Sequence, residues 1–103
     1  MKINEVSNED LKQIMDNENI VLLDVREVDE YTEAHIPDAI LIPLGQLESR
    51  YDELDKERNV FVICHSGGRS KMACQILQHY GFQNVANVVP GMISWDGEVI
   101  LNK

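Results

Sequence analysis

VFVICHSGGRSKMACQILQHYG, residues 60–81, is the stretch of this 103-residue sequence that decides the fold. It begins with a continuous apolar run, Val60–Ile63, which is typical of a strand buried on both faces of a parallel sheet. A short loop rich in glycine and hydroxyl groups follows, and then a helix with one apolar face is predicted, on which lie Met72, Ala73, Ile76, Leu77 and Tyr80. Gly81 ends that helix, as glycine often does. The pattern is strand, loop, helix, with Cys64 at the carboxyl end of the strand.

The rest of the chain alternates strand and helix signals in the same way. Further apolar runs predict strands at IVLLDV (residues 20–25), AILI (39–42) and NVANVV (84–89). Helical segments are predicted after Ser7, which forms a capping box with Asp10, and over residues 26–35, 44–54 and 90–98. Strands that alternate with helices indicate an α/β fold, a three-layer sandwich whose mostly parallel sheet carries helices on both faces. Ligands bind such sheets at the carboxyl ends of the strands, which is where Cys64 lies.

Length and composition describe one globular domain. A chain of 103 residues supports a single hydrophobic core, so residues 1–103 are expected to form one domain. The hydrophobic fraction of 44% and the charged fraction of 26% are those of an ordinary soluble protein. We find neither a run of roughly 18 apolar residues nor a signal-peptide pattern. A cytoplasmic location without a membrane partner is therefore expected.

The net charge indicates the class of partner, and the two cysteines indicate the redox state of the protein. Eighteen acidic residues against nine basic ones give a net charge of −9, which repels nucleic acid and anionic lipid. A small molecule or a protein is the expected partner, and nucleic acid is not. The two cysteines, Cys64 and Cys74, are expected to remain thiols in a reducing compartment.

The loop after Cys64 has the composition of an anion cradle. Two glycines let the backbone curl with its N–H groups pointing inward, and the start of the following helix adds its positive dipole. That field favours thiolate over thiol and prepares Cys64 as a nucleophile. Substrate contacts are expected from the loop residues His65, Ser66, Gly67, Gly68 and Arg69. A lone cysteine at the end of a buried strand is usually structural, but the glycines, arginine and serine at a helix start favour a reactive cysteine here. From the residues alone, a phosphatase and a sulfur-transfer enzyme both remain open.

Two long segments resemble the rhodanese (thiosulfate sulfurtransferase-like) family. They are LLDVREVDEYTEAHIPDAILIP, residues 22–43, and VICHSGGRSKMACQILQHYGFQNVANVVPGMISW, residues 62–95, and the resemblance extends over about residues 3–99. The matching positions are Asp24, Arg26, Glu30, Tyr31, His35, Ile36, Pro37, Ala39, Cys64, Arg69, Gly91 and Trp95. The resemblance implies the rhodanese fold, a persulfide on Cys64, and no metal or organic cofactor. It also implies a small-molecule or protein sulfur donor and a thiol or cyanide acceptor, with a cysteine desulfurase or a thioredoxin-like protein as candidate protein partners.

The length of the loop between Cys64 and Arg69 distinguishes a phosphatase from a sulfur-transfer enzyme. Phosphatases that use a cysteine and an arginine place five residues between them, whereas four residues separate Cys64 from Arg69. The shorter cradle suits a terminal sulfur better than a phosphoryl group, so sulfur transfer is the preferred hypothesis. A relay or redox-sensing module, in which Cys64 carries sulfur only when docked to a partner, is the alternative.

Four positions depart from the family pattern. His65 stands where many active members carry arginine or lysine, and an imidazole binds a dianion less well than a permanent cation. A persulfide is therefore expected to be a better donor than thiosulfate. Ala34 and Asp38 replace common glycines, and Pro90 precedes Gly91 where a second glycine is usual, which predicts only small changes of loop shape.

Several of these residues have structural interpretations as well. Arg69 is expected either to contact substrate or to pair with Glu27 or Asp24. Ser66 and Ser70 are expected either to hydrogen-bond the persulfide or to cap the helix. Structural roles are expected for His35, Asp24 and Trp95. The second cysteine, Cys74, is expected to lie in the core.

Overall fold

The computed structural model describes residues 2–17 and 19–102. Seven strands are present in this part of the chain: β1 (Asn4–Ser7), β2 (Val21–Asp24), β3 (Ala34–His35), β4 (Ile40–Leu41), β5 (Val60–Ile63), β6 (Val85–Val89) and β7 (Ile100–Leu101). The α-helices within it are α1 (Asn8–Asn17), α2 (Val28–Glu33), α3 (Leu47–Arg50) and α4 (Gly68–His79). Short 3-10 helices cover Leu44–Gln46, Tyr51–Glu53 and Met92–Ser94. In these described ranges, no helix has the length and apolar character needed to cross a membrane.

The central sheet has five parallel strands in the order β1-β6-β5-β2-β4. Its middle strands, β6, β5 and β2, are those whose residues are almost all buried. A separate antiparallel pair joins β3 to β7. Because the sheet is parallel, the carboxyl ends of its strands meet at one edge, and the loop after β5 opens there. The α/β prediction with a mostly parallel sheet is confirmed.

The sheet separates two hydrophobic clusters, as a three-layer sandwich requires. One cluster packs α3 and α4 against the sheet through Leu47 and Leu77, with Phe82 from the connection after α4, and it includes both cysteines. The second packs α1 on the sheet through Leu11, with Ile36 and Val88. Cys74 is fully buried in the first cluster, and that burial raises the pKa of its thiol to about 12. It is a core residue, as expected.

Most local predictions are confirmed, and some elements differ. Ser7 and Asp10 form the predicted capping box, since Asp10 N–H donates to Ser7 Oγ at 3.0 Å and Ser7 N–H donates to Asp10 Oδ2 at 3.3 Å. The helix predicted over residues 44–54 is a short α-helix between two 3-10 turns. The helix predicted to carry Trp95 is a single 3-10 turn that ends at Ser94, and Trp95 packs half-buried beside the second cluster. The sequence interpretation contained no β1, β3 or β7.

Candidate active site

Cys64 lies immediately after β5, at the base of the loop that leads into α4. The residue is 1% exposed, and its Sγ is surrounded by hydrogen-bond donors from the loop. Gly67 N–H lies 3.1 Å from Sγ and Ser70 N–H lies 3.3 Å from it, while the Ser70 hydroxyl oxygen is 3.2 Å away. Burial alone raises the pKa of the Cys64 thiol. Hydrogen bonding by Ser70, Gly67 and the Ser66 N–H outweighs that burial and leaves the pKa below its ordinary value.

Gly67 is the residue that turns the loop inward. It has φ +97°, a left-handed conformation that glycine adopts without steric cost, and it forms the N-cap of α4. Its N–H points at the sulfur, and its carbonyl accepts from Lys71 N–H in the first turn of the helix. The loop therefore presents N–H groups to the space above Cys64, which is the geometry of an anion cradle.

The backbone of Cys64 and His65 is held from outside by the segment after β6. Met92 N–H donates to the Cys64 carbonyl at 2.9 Å, and Ile93 N–H donates to the His65 carbonyl at 2.8 Å. Gly91 lies against the same two carbonyls and is itself held by Asn8, whose side chain donates to its carbonyl at 2.9 Å and accepts from its N–H at 3.1 Å. Because both carbonyls point outward to these donors, the loop N–H groups remain free to face the sulfur.

Arg69 does not pair with either carboxylate that the sequence suggested. Its guanidinium makes a bidentate ion pair with Glu30 of α2, at 2.7 and 3.0 Å, and both side chains are about one-third exposed. Hydrogen bonding to Arg69 lowers the pKa of the Glu30 carboxyl to about 2. Glu27 is instead the N-cap residue of α2, and Asp24 is occupied by Arg26, so neither is free to take Arg69. The ion pair ties α2 to the start of α4, next to the loop after Cys64.

The two loop serines do not cap α4. Its N-cap is Gly67, and among the described residues no side chain caps this helix, so the capping interpretation of Ser66 and Ser70 is wrong. Ser66 is exposed at the top of the loop and contributes its N–H toward the sulfur. Ser70 is fully buried in the first turn of α4, where its hydroxyl lies between Cys64 and Asn87 of β6.

Asp24 and His35 have structural contacts, in line with the sequence interpretation. Asp24 is 1% exposed and makes a buried ion pair with Arg26, whose Nη2 lies 2.8 Å from Asp24 Oδ2 and also donates to the Ala34 carbonyl at 2.8 Å. His35 stacks on Tyr31 with ring centroids 3.8 Å apart and donates through Nδ1 to the Tyr31 carbonyl at 2.9 Å. These contacts fix the segment between β2 and β4, which forms one wall of the site.

A cavity of about 340 Å³ opens beside the loop. It is lined by Arg26, Glu30, Glu33, Ala34, His65 and Met92. Both arginines near this space already have carboxylate partners, and Glu33 has no ion-pair partner within residues 2–17 and 19–102. Exposed His65 lies on the wall of this cavity. This cavity, the mouth of the site, is therefore acidic, and among the described residues its lining contains no arginine or lysine without a carboxylate partner.

Three site residues were missed by the sequence interpretation: Asn8, Glu30 as the partner of Arg69, and Asn87. Asn8 and Asn87 are 7% and 1% exposed. Asn87 hydrogen-bonds to the backbone of the loop after Cys64, and Asn8 hydrogen-bonds to the backbone of the segment that holds this loop. The available signal was an asparagine within an apolar run, NVANVV, because a buried amide needs polar partners. Asn8, the first residue of α1, carries no comparable signal.

Comparison with known proteins identifies the family. The rhodanese-like domain model matches residues 7–98. The Bacillus subtilis (strain 168) protein named "Putative sulfur carrier protein YrkF" is 48% identical over 93% of this chain, and this chain spans about half (52%) of that relative. The "Putative sulfurtransferase YtwF" of the same organism is 40% identical over 95% of both chains. The crystal structure of a rhodanese-related protein from Thermoplasma volcanium superposes with a TM-score of 0.87 at 30% identity, covering 95% of this chain and 98% of the other.

Fold and site together define an α/β domain built around one cysteine in a backbone anion cradle. The chain belongs to the rhodanese-like sulfurtransferase family. The resemblance that the sequence motifs indicated is thereby confirmed.

Proposed function

We propose that this protein is a sulfurtransferase that carries sulfane sulfur as a persulfide on Cys64. The observation that carries the proposal is the ring of donors around Cys64 Sγ, with N–H groups at 3.1 and 3.3 Å and a pKa held below that of an ordinary thiol. A thiolate in this setting is a nucleophile, and a negatively charged terminal sulfur above it would find the remaining loop N–H groups. Substrate contacts are assigned to the loop residues His65, Ser66, Gly67, Gly68 and Arg69.

The proposed reaction is two successive displacements at sulfur. In the first, the Cys64 thiolate attacks the outer sulfur of a persulfide R–S–SH, a new S–S bond forms on Cys64, and R–S⁻ leaves with the electron pair of the broken bond. In the second, an acceptor thiolate attacks the outer sulfur of Cys64–S–SH, and the Cys64 thiolate leaves. The sulfane sulfur moves without change of oxidation state. The cycle therefore needs no external oxidant or reductant.

The charge of the site mouth favours a persulfide donor over thiosulfate. The cavity beside the loop contains Glu30 and Glu33, and its arginine, Arg26, is neutralised by Asp24. Arg69 is likewise neutralised by Glu30. The net negative charge of this space repels a dianion such as thiosulfate. It does not repel a donor with little or no net negative charge.

We expect His65→Arg to raise kcat/KM for thiosulfate about five-fold, because a permanent cation at the mouth attracts the dianion with an energy typical of a partly exposed charge pair. Steady-state cyanolysis assays measure this directly. The matched control is His79→Arg, which adds the same charge on another exposed histidine at the far end of α4. Unchanged or lower thiosulfate activity in His65→Arg would show that residue 65 does not face the donor.

A relay module without turnover of small donors is a second candidate. The observation in its favour is that a relative at 48% identity bears the name "Putative sulfur carrier protein YrkF" and is about twice as long as this chain. In a relay, a partner protein such as a cysteine desulfurase or a thioredoxin-like protein supplies or removes the sulfur. Cys64 is loaded in both candidates, and only multiple turnover with small donors and acceptors distinguishes the enzyme.

Intact-protein mass spectrometry after incubation with thiosulfate or cysteine persulfide tests the proposal. We expect a gain of about 32 Da, one sulfur atom, that cyanide or a thiol removes. Cys64→Ser is expected to lose the adduct completely, because serine does not form a persulfide. Cys74→Ser is the matched control and is expected to keep the adduct, since burial raises the pKa of Cys74 to about 12 and leaves it unreactive.

The outcomes separate the candidates. A stable adduct that small acceptors discharge repeatedly supports the enzyme, and an adduct that only a partner protein discharges supports the relay. An adduct that survives in Cys64→Ser would contradict a persulfide on Cys64. No adduct with either small donor would contradict the enzyme and leave only a relay that a partner protein loads.

A further inference from the structure

Asn87 is a polar side chain in the middle of a buried strand. It is 1% exposed on β6, between Ala86 and Val88, which are themselves buried. A buried amide without partners would cost roughly 1–3 kcal/mol, so its contacts are informative. Both polar atoms of the Asn87 side chain are directed at the catalytic loop, one toward Ser70 and one toward Gly67.

The orientation of the Asn87 amide is fixed by its partners. Nδ2 lies 3.2 Å from the carbonyl oxygen of Gly67, a group that can only accept, so the amide must present its nitrogen there. Oδ1 then faces the Ser70 hydroxyl in a short hydrogen bond. Since a carbonyl oxygen cannot donate, the hydroxyl proton of Ser70 points to Asn87.

The same hydroxyl also contacts the catalytic sulfur. Ser70 Oγ lies 3.2 Å from Cys64 Sγ, and a serine has a single proton to donate. When Cys64 is a thiol, its S–H donates to Ser70 Oγ, the hydroxyl donates to Asn87, and Asn87 donates to Gly67, so every group is satisfied. When Cys64 is a thiolate, two acceptors face the one hydroxyl proton. Turning that proton to the sulfur breaks the bond to Asn87.

We propose that Asn87 is a positioning residue that competes with the Cys64 thiolate for the hydroxyl proton of Ser70, and thereby sets the fraction of Cys64 present as thiolate. The N–H groups of Gly67 and Ser70 stabilise the thiolate in any case. Asn87 opposes them by stabilising the arrangement that suits the thiol. This balance matters because an attacking thiol is fastest when its pKa is near the ambient pH.

The inference rests on the proposed role of Cys64 as nucleophile, but its test measures ionisation alone. The pH dependence of iodoacetamide alkylation at Cys64, followed by peptide mapping, gives the titration midpoint without any sulfur donor. Four proteins complete a double-mutant cycle: wild type, Asn87→Ala, Ser70→Ala and the double variant. Asn87→Ala also removes the hydrogen bond from Asn87 to the Gly67 carbonyl. The Ser70→Ala background measures the effect of that loss alone, because it lacks the hydroxyl proton for which Asn87 and Cys64 compete.

Asn87→Ala is introduced both into the wild type and into Ser70→Ala. We expect it to lower the titration midpoint of Cys64 by about one pH unit more in the wild type, which is roughly a tenfold gain in thiolate. The hydroxyl, released from Asn87, then donates to the sulfur. An equal shift in both backgrounds would show that Asn87 only supports the loop. A midpoint that rises only when Ser70 is present would show that Asn87 assists Ser70 rather than competing with it. Either result overturns the proposal.

A second measurement leaves Asn87 intact, should its replacement unfold the protein. The ¹H–¹⁵N resonances of the Asn87 side-chain amide are followed as Cys64 titrates. We expect them to move with the Cys64 midpoint in the wild type, because Oδ1 loses its donor, and to move far less in Ser70→Ala. Equal movement in both proteins would contradict the competition for one proton.

Discussion

Gly91→Ala is expected to destabilise the protein by about 3 kcal/mol or more and to displace the loop after Cys64. Gly91 has φ +108° and ψ −155°, a region that is essentially restricted to glycine. An added Cβ would lie 2.6 Å from the Cys64 carbonyl oxygen and 3.0 Å from that of His65. Neither atom is the end of a flexible side chain, so the backbone of the loop itself has to move. Backbone strain and steric overlap therefore add.

Thermal unfolding measures the first effect, and a loss of that size corresponds to a fall in Tm on the order of 10–20 °C for a domain of this length. Iodoacetamide alkylation of Cys64 measures the second, since the N–H groups that face Sγ belong to the displaced loop. Gly45→Ala is the matched control, because a Cβ there meets nothing within 4 Å and the residue has no positive φ. If Gly91→Ala melted within a few degrees of the wild type, the close approach of the two segments would not constrain the loop.

The parts of the fold that the sequence predicted are those in which burial is uniform. Strands β2, β5 and β6 are covered on both faces, so each appears as an uninterrupted apolar run. Strand β1 is an edge strand whose residues are exposed or half-buried, and its sequence NEVS contains neither a run nor an alternation. Strands β3 and β7 have two residues each, too few to show any period.

The site divides in the same way between local and long-range contacts. The position of Cys64 and the curl of its loop follow from adjacent residues, Gly67 and the start of α4, and these were predicted. The partner of Arg69 depends on how α2 is rotated against the loop, which places Glu30 rather than Glu27 within reach. Asn8 contacts Gly91 across 83 residues of sequence, and such a pairing exists only once the sheet has formed. The Asn8–Gly91 contact therefore could not be predicted from the spacing of residues in the sequence.

Removing one member of the Asp24–Arg26 pair is expected to be as damaging as the change at Gly91. The two side chains are 1% and 6% exposed, and Arg26 contacts both carboxylate oxygens, with Nε at 3.0 and 3.1 Å and Nη2 at 2.8 Å. Asp24→Ala leaves a guanidinium buried without its counter-charge, which typically costs about 3–5 kcal/mol. Thermal unfolding should show a Tm lowered by more than about 12 °C.

Two further variants separate charge burial from the loss of packing. Asp24→Ala combined with Arg26→Met removes both charges, and we expect it to recover at least half of the lost stability, because no buried charge is left unpaired. Glu53→Ala breaks the exposed Arg50–Glu53 pair and should leave Tm almost unchanged, since exposed pairs contribute little. If the double variant were no more stable than Asp24→Ala, the cost would lie in lost contacts such as that of Arg26 with the Ala34 carbonyl. That carbonyl lies in the segment that lines the cavity beside His65, so sulfur loading should then fall in parallel with stability in both variants.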